Sequence, residues 1–499
     1  MKINNQILYS LVLLLVLGLN SCSSDSDSNE DQEIVITVST SDFTTNINEN
    51  PANGQVIGSV EGTATQVNVT FSITEQEPSG AFVIDSSTGE LTVADESLFN
   101  YEAHIIITGI VKVANGSVFE NSIITININD IEEINICEGD VILLTQEDVD
   151  AFGANNCTEI TGFLLIGEYG VTNTSIVDLS PLSSLQKIGS FLRIRSIQGL
   201  TNLQGLHNLN SVATIELYGN SNLTTIEVFS GISEISTFEI SLSSSLTSLS
   251  GLHNLTGTIN SFSLTANESL INLDALSNIS SVVSISIQGN SSLQNIDGLI
   301  NVSSVNYLSL KNNSSIININ GLSNLTEASF IEIDNINLIE NIDGLNNLVT
   351  IRELKINNNQ NLTNIEGLSG INSIIEYDVS ISNNNSLINL NGLNNITEIM
   401  LYLRVIGNDS LTDLSALSNL NTIGGDLMIH DNNLILNLEG LNNINSVGGF
   451  LIVEANDLLN NLCGIENLII EGGLSGDYTV EDNAYNPTYQ DIEDGNCSQ

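Results

Sequence analysis

Asn295-Ile296-Asp297-Gly298-Leu299, with the apolar Val302 three positions on, is one instance of a phrase that recurs thirteen times between Leu182 and Ile465. Its leucine-like position falls at Leu182, Leu206, Phe229, Leu252, Leu276, Leu299, Leu322, Leu345, Leu368, Leu393, Leu417, Leu441 and Ile465, at spacings of 23 to 25 residues. A period that regular predicts stacked coils, none of which can bury its apolar edge without its neighbours. Just after the quoted phrase, Val305-Asn306-Tyr307-Leu308-Ser309-Leu310-Lys311-Asn312-Asn313 reads as a strand with Leu308 and Leu310 inward, then a turn carrying Asn313. Leu264, Ile287, Leu310, Ile333, Ile356, Ile381, Val405, Ile429 and Val453 hold the equivalent inward position, so each coil contributes one parallel strand. Asn220, Asn267, Asn290, Asn313, Asn359, Asn384, Asn408, Asn432 and Asn456 stand three residues beyond this position, with Ser243 and Ile336 as exceptions. An amide carries donors and an acceptor, so a stacked asparagine column can satisfy the backbone groups freed where each coil turns its corner.

The 499-residue chain is long enough for two or more domains, and 41% hydrophobic against 14% charged residues suits filled cores. Nine Lys plus Arg face 59 Asp plus Glu, a formal charge of −50. That charge repels phosphate backbones and anionic lipid surfaces, which excludes nucleic acid as a partner. The acidic residues are scattered, as on the solvated surface of a secreted protein.

Residues 1–22 read as a secretion signal: Lys2 gives a positive start, and Leu8 to Leu19 is an apolar stretch too short to span a bilayer comfortably. Leu19-Asn20-Ser21-Cys22 resembles the lipobox of bacterial lipoproteins, which implies acylation of Cys22 and a lipid anchor as the only membrane contact. The alternative is ordinary signal cleavage near an unrelated cysteine. Residues 23–33 are polar and acidic, as expected of a flexible tether, and resemble the Ser/Asp-rich export tag of Bacteroidetes-type surface lipoproteins. The resemblance implies a surface-exposed, lipid-anchored protein of the outer membrane.

Setting Cys22 aside leaves Cys137, Cys157, Cys463 and Cys497, an even number in an oxidising compartment. Local pairing would close caps at 137–157 and 463–497, each bridge contributing roughly 3 to 4 kcal/mol in the chain-entropy picture. Zinc is the alternative, against which the cysteines lack paired short spacings and a nearby histidine.

The pattern apolar-x-x-Leu-x-Leu-x-x-Asn, at this period, resembles leucine-rich repeats and more closely the receptor L domain. Cys137-Glu138-Gly139-Asp140, Thr145 to Phe152 and Cys157 to Gly162 resemble the opening cap of such domains in bacterial surface proteins. Asn483-Ala484-Tyr485-Asn486-Pro487-Thr488 and Gly495-Asn496-Cys497 resemble the closing one. The resemblance spans residues 135–499 and implies a right-handed parallel β-solenoid whose sheet face binds proteins, peptides or glycans. Alternation places two rows on that face. One runs Arg193, Glu216, Glu239, Ser263, Ser286, Ser309, Glu332, Lys355, Ser380, Arg404, Met428, Ile452, and the other Arg195, Tyr218, Ser241, Thr265, Gln288, Lys311, Asp334, Asn357, Ser382, Ile406, His430, Glu454. Five of the chain's nine basic residues, Arg193, Arg195, Lys311, Lys355 and Arg404, lie there. With Tyr218 and His430 they form the candidate ligand face, suited to an acidic partner or a glycan. The competing reading pairs these cations with Glu216, Glu239, Glu332 and Asp334 along the ladder.

Residues 34–132 lack the period and alternate polar with apolar over Gln66 to Ile73, His104 to Val113 and Ser122 to Ile128, which predicts a β-sandwich. Asn48-Glu49-Asn50, Phe82-Val83-Ile84-Asp85, Thr88-Gly89-Glu90-Leu91, Leu98-Phe99-Asn100-Tyr101-Glu102 and Ile128-Asn129-Asp130 resemble, in order and spacing, a single cadherin repeat. The resemblance implies calcium at Glu49, Glu102 and Asp130, with Asn100, Asn127 and Asn129 beside them. Asn100 and Asn127 stand where the family has aspartates, which weakens a hard-cation site. Glu132 replaces the family's terminal proline, and no second repeat follows; the alternative is a sandwich that keeps the motif only for its turns.

The whole reading is all-β: a cadherin-like sandwich followed by a solenoid with disulfide-bonded caps. No catalytic constellation is present in the sequence. His207 and His253 share a repeat position two coils apart, roughly 10 Å at ~4.8 Å per strand, and no Gly-x-Ser-x-Gly elbow or phosphate loop occurs. The expected function is therefore adhesion, calcium-dependent and homophilic if the cadherin resemblance carries that far, or capture of a protein ligand. A structural envelope scaffold is the alternative, and glycan capture a more remote one.

Overall fold

The computed structural model describes residues 35–131, 133–372 and 374–499. The expected signal segment, Cys22 and the tether 23–33 lie outside the described residues. The chain is all-β and divides into two compact units, up to and from residue 133.

In the first unit a four-stranded sheet runs in the order Phe43–Asn48, Val118–Asn129, Ile106–Asn115, Thr70–Glu77, opposed by the three strands Val56–Ser59, Glu90–Val93 and Phe82–Ile84. Phe43–Asn48 pairs parallel to Val118–Asn129, and the other pairs in both sheets are antiparallel. Alternation along Ile106–Asn115 and Val118–Asn129 sends Ile107, Val111, Val113, Ile124, Ile126 and Ile128 into a core that also holds Phe71, Phe82, Leu91 and Phe99.

The second unit is built on a 17-stranded all-parallel sheet, one strand per coil through the repeat region. Adjacent strands keep register through the repeats, Ile285 beside Leu308 and Ile287 beside Leu310, with one shift between Ile188 and Phe191, so the inward residues form continuous buried rows. The asparagine column is present and buried: Asn267, Asn290, Asn313, Asn359, Asn384, Asn408, Asn432 and Asn456 are 0% exposed. Asn313 Oδ1 accepts from the backbone N–H of Asn290 at 3.0 Å, and Asn313 Nδ2 donates to the Ile287 carbonyl at 2.8 Å. Each amide thus satisfies two main-chain groups of the coil before it. The column continues past the repeats, since Asn483 serves Asn456 and Val453, and Asn486 Oδ1 accepts from Asn483 N–H. At the gaps, Ser243 Oγ is buried without a hydrogen-bond partner and Ile336 has no polar atom to offer.

Two features were not read from the sequence. The repeated phrase itself folds as a 3₁₀ turn, as at Asp297–Leu299. Its glycine is dictated by close approach, because a Cβ at Gly298 would lie 1.7 Å from the Leu273 carbonyl oxygen of the preceding coil. The coils of Leu206 and Leu393 lack the turn, and there Gly205 and Gly392 take φ of 115° and 119°, a region open to glycine. In the later coils, Gly424-Gly425 and Gly448-Gly449 break what is one strand in Ser281–Gln288 into two. The short pieces Glu398–Ile399, Thr422–Ile423 and Ser446–Val447 then pair as a separate three-stranded parallel sheet.

Cys137 is bonded to Cys157 and Cys463 to Cys497. Each bridge accompanies a short helix capped by a Thr/Asp box, Gln146–Gly153 behind Thr145 and Tyr489–Glu493 behind Thr488. These helices cover apolar coil ends, with Val149 and Ile492 fully buried.

Removing one amide strands two buried backbone groups, each costing about 1 to 3 kcal/mol. Asn313→Ala is expected to lower stability by about 2 to 5 kcal/mol and to release amide-exchange protection first at the neighbouring coils. Ser243→Asn supplies the missing partner and is expected to raise the melting temperature; an unchanged or lower value would show that this corner is satisfied another way.

Candidate recognition face and carboxylate cluster

The two outward rows lie in strict register, Arg193 beside Glu216 beside Glu239 and Arg195 beside Tyr218 beside Ser241. Registry places acids next to bases, and each of the five sheet-face cations is ion-paired. Arg193 grips Glu216 with two bonds of 2.7 Å, and Arg195 donates to the same carboxylate at 3.0 Å. Lys311 meets Glu332 at 2.7 Å, Lys355 pairs with Glu353, and Arg404 reaches Asp378 at 3.0 Å. His430 sits 3.7 Å from Glu454 and 3.6 Å from Asp431. The cations of this face are thus internally compensated rather than held open for an acidic partner.

A third row, missed in the sequence, lies two residues before the first on each strand and faces the same way. It carries Phe191, Thr214, Thr237, Ser261, Ser284, Tyr307 and Phe330 in register. Phe163 stacks on Phe191 with centroids 4.6 Å apart and Tyr307 on Phe330 at 4.7 Å. The Arg193 guanidinium covers Phe191 at 3.8 Å, and the Lys355 ammonium lies 5.1 Å from the Phe330 centroid. Tyr218 stands 4.9 Å from Tyr169, which shares a hydrogen bond with it. The signal available was the 23-residue separation of Tyr307 and Phe330, one full coil.

Electrostatics differ between neighbouring carboxyls. Burial alone would raise Glu216, but the hydrogen bonds and charges of Arg193 and Arg195 outweigh it and hold the group below its ordinary value. Glu239 is raised, first by burial and then by the Glu216 charge, with Arg193 only partly countering. The Glu239 carboxyl has no hydrogen bond or ion pair among the described residues.

In the sandwich, Glu49, Glu102 and Asp130 come together, with one ligand-capable oxygen from each lying within 4.8 Å of the others. Glu49 is 2% exposed, and its two oxygens accept from Ile131 N–H at 2.7 Å and Tyr101 N–H at 2.9 Å. Those bonds, Ile131 first, hold Glu49 below the usual carboxylate range. Asn100, Asn127 and Asn129 use their amides elsewhere. Asn100 Oδ1 accepts from Ala103 N–H, while Asn127 and Asn129 donate across the strands to Asn46 and Asn48. Lys112, the sandwich's one basic residue, pairs instead with the ring of Phe119. Hard oxygen donors, fixed by backbone bonds and carrying up to three negative charges, fit a Ca²⁺ ion.

No protein-family model and no curated protein matches the chain. Among solved structures, extracellular cadherin domains 3–6 of protocadherin gamma B2 are similar at 20% identity, over 20% of this chain and 24% of that one, with a TM-score of 0.18. Drosophila N-cadherin EC1-4 gives 15% identity over 22% and 30% of the two chains, TM-score 0.19. Human protocadherin-24 EC1-2 gives 12% identity over 22% and 54%, TM-score 0.17. The chain therefore spans from about a quarter to about half of these cadherin structures. Among the described residues, no helix is long and apolar enough to cross a membrane.

A group whose pKa is raised on folding favours the folded state below its unfolded pKa and loses that contribution as pH rises through the folded value. Glu239→Gln is therefore expected to raise the melting temperature at pH 7 and to leave it unchanged near pH 4. An equal shift at both pH values would show that the Glu239 charge is not the cause. Glu49 has the opposite sign: its contribution is held at neutral pH and lost as pH falls through its lowered pKa.

Proposed function

We propose that the chain is a non-enzymatic surface lipoprotein, held by acylated Cys22 in the outer membrane, that acts in adhesion or ligand capture. The cadherin-like sandwich is its calcium-dependent module and the solenoid sheet face its recognition surface. The observation that carries this reading is the carboxylate cluster. Glu49, Glu102 and Asp130 bring their charges together with no Lys, Arg or His paired to them among the described residues. Bringing like charges this close is costly unless a cation or protons offset it. Glu49 belongs to the segment that follows Phe43–Asn48, Glu102 follows the 3₁₀ turn Glu96–Leu98, and Asp130 ends Val118–Asn129. A bound Ca²⁺ would neutralise the cluster and tie these three segments together.

A second reading is favoured by the ion pairs of the solenoid face. Because Arg193, Arg195, Lys311, Lys355 and Arg404 are compensated within the chain, the sheet is electrostatically complete without a partner and suits an envelope spacer. Beads coated with the chain separate the two readings. Aggregation with Ca²⁺ that chelation reverses supports homophilic adhesion, and retention on cells without bead aggregation supports a heterophilic binder. Inert beads under every condition favour the spacer.

Calorimetric titration of Ca²⁺ into purified residues 34–499 is expected to give a Kd of roughly 10⁻⁴ to 10⁻³ M, the range of extracellular modules, and a raised melting temperature. Glu102→Gln and Asp130→Asn are expected to weaken it at least tenfold. No heat and no thermal shift would leave a metal-free sandwich. Cys22→Ser is expected to abolish fatty-acid labelling and release the protein from the membrane fraction; retained labelling would refute the anchor.

A further inference from the structure

The third row of the sheet ends its stack abruptly. Tyr307 lies against Phe330 with the rings 3° from parallel, but on its other side the row continues with Ser284 and Ser261. Serine is too short to cover a phenol ring, so one face of Tyr307 is open, and the residue is 39% exposed. In the adjoining first row, Glu239 is followed by Ser263 and Ser286. The result is a notch three strand spacings wide, about 14 Å, walled by a bare aromatic face on one side and a carboxyl on the other.

The polar groups of this notch are unspent. The hydroxyls of Ser261, Ser263, Ser284 and Ser286 make no hydrogen bond within the described structure, whereas Ser309, one strand on, is committed to Glu332. Glu239 makes no ion pair, and its carboxyl oxygens are free to accept from a ligand hydroxyl. The nearby cations are engaged, Arg193 and Arg195 by Glu216, and Lys311 by Glu332. An anionic ligand would therefore gain no free countercharge and would meet a chain of net charge −50. A purely apolar ligand would strand the floor hydroxyls. The complementary ligand is uncharged, with a C–H face to lay on the ring and hydroxyls around its rim, and this is the chemistry of a neutral pyranose.

We propose that the sheet face between Glu239 and Tyr307 binds a neutral glycan, with a sugar ring stacked on Tyr307 and its hydroxyls met by the serine floor and Glu239. The proposal rests on the sheet face being the recognition surface and names its ligand class.

The test is binding of the full chain to immobilised neutral gluco-, galacto- and manno-configured oligosaccharides, with a uronic-acid oligosaccharide alongside. At least one neutral glycan is expected to bind and the anionic one not. Tyr307→Ala is expected to weaken binding at least tenfold and Tyr307→Phe less than threefold. Ser284→Tyr, which would extend the stack and cover the open ring face, is expected to abolish binding without lowering the melting temperature. If Tyr307→Ala proves unstable, Ser284→Tyr decides. Binding of the uronic acid alone, no binding of any neutral glycan at millimolar concentration, or neutral binding indifferent to Ser284→Tyr would overturn the proposal. Bead adhesion that Ser284→Tyr blocks in the absence of glycan binding would overturn the ligand class while retaining the face.

Discussion

The solenoid depends on one interaction, the buried side-chain amide that spans from most coils to the one before. Every coil turns a corner inside an apolar stack, where a lone N–H and a lone C=O have no water to reach. The asparagine column satisfies both at once, as Asn359 does for Ile336 N–H and the Ile333 carbonyl. The amide works alongside the strand pairing, which keeps neighbouring strands in register even across the two joints where the column is interrupted. Register in turn lines the outward residues up as straight rows. The ion pairs and ring stacks of the sheet face are consequences of that alignment, since residues one coil apart become near neighbours.

The two units treat charge differently. On the solenoid, five of the seven Lys and Arg residues lie in the outward rows of the sheet, and each of those five is ion-paired within the chain. In the sandwich, three carboxylates share a small volume, and backbone N–H groups fix the orientation of one of them. Cations on the solenoid face are offset within the chain, whereas the carboxylates of the sandwich gather with no Lys, Arg or His paired to them among the described residues.

The parts that were legible in the sequence are those imposed once per coil. The inward Leu308 and Leu310 and the asparagine at position 313 recur so often that accidental placement is excluded, and alternation then gives the two outward rows directly. The parts that were not legible depend on side-chain choices that periodicity does not encode. Glu216 and Glu239 occupy the same row, yet the former takes both arginines and the latter none, because Glu216 lies on the strand next to Arg193 and Arg195. Glycines 424, 425, 448 and 449 were visible but did not announce that they would split a strand. Glu49, Glu102 and Asp130, which the sandwich motif named together, lie together in space, whereas Asn127 and Asn129 found amide partners across the strand, which a linear motif cannot foresee.

The two interruptions of the column, at Ser243 and Ile336, have a mechanical meaning. In a stack where each coil touches only its neighbours, strength along the axis is set interface by interface. The joints between the coils of Asn220 and Ser243, and of Asn313 and Ile336, keep their strand pairing but lack the buried column amide found on either side; across the second, Asn335 donates to Asn312 and Lys311 pairs with Glu332 at the surface. They divide the repeat region into three blocks of unequal length. A load pulling the ends of the repeat region apart would concentrate its extension at those two seams while the blocks between stayed folded, which makes the repeat region a series of stiff segments joined by weaker couplings.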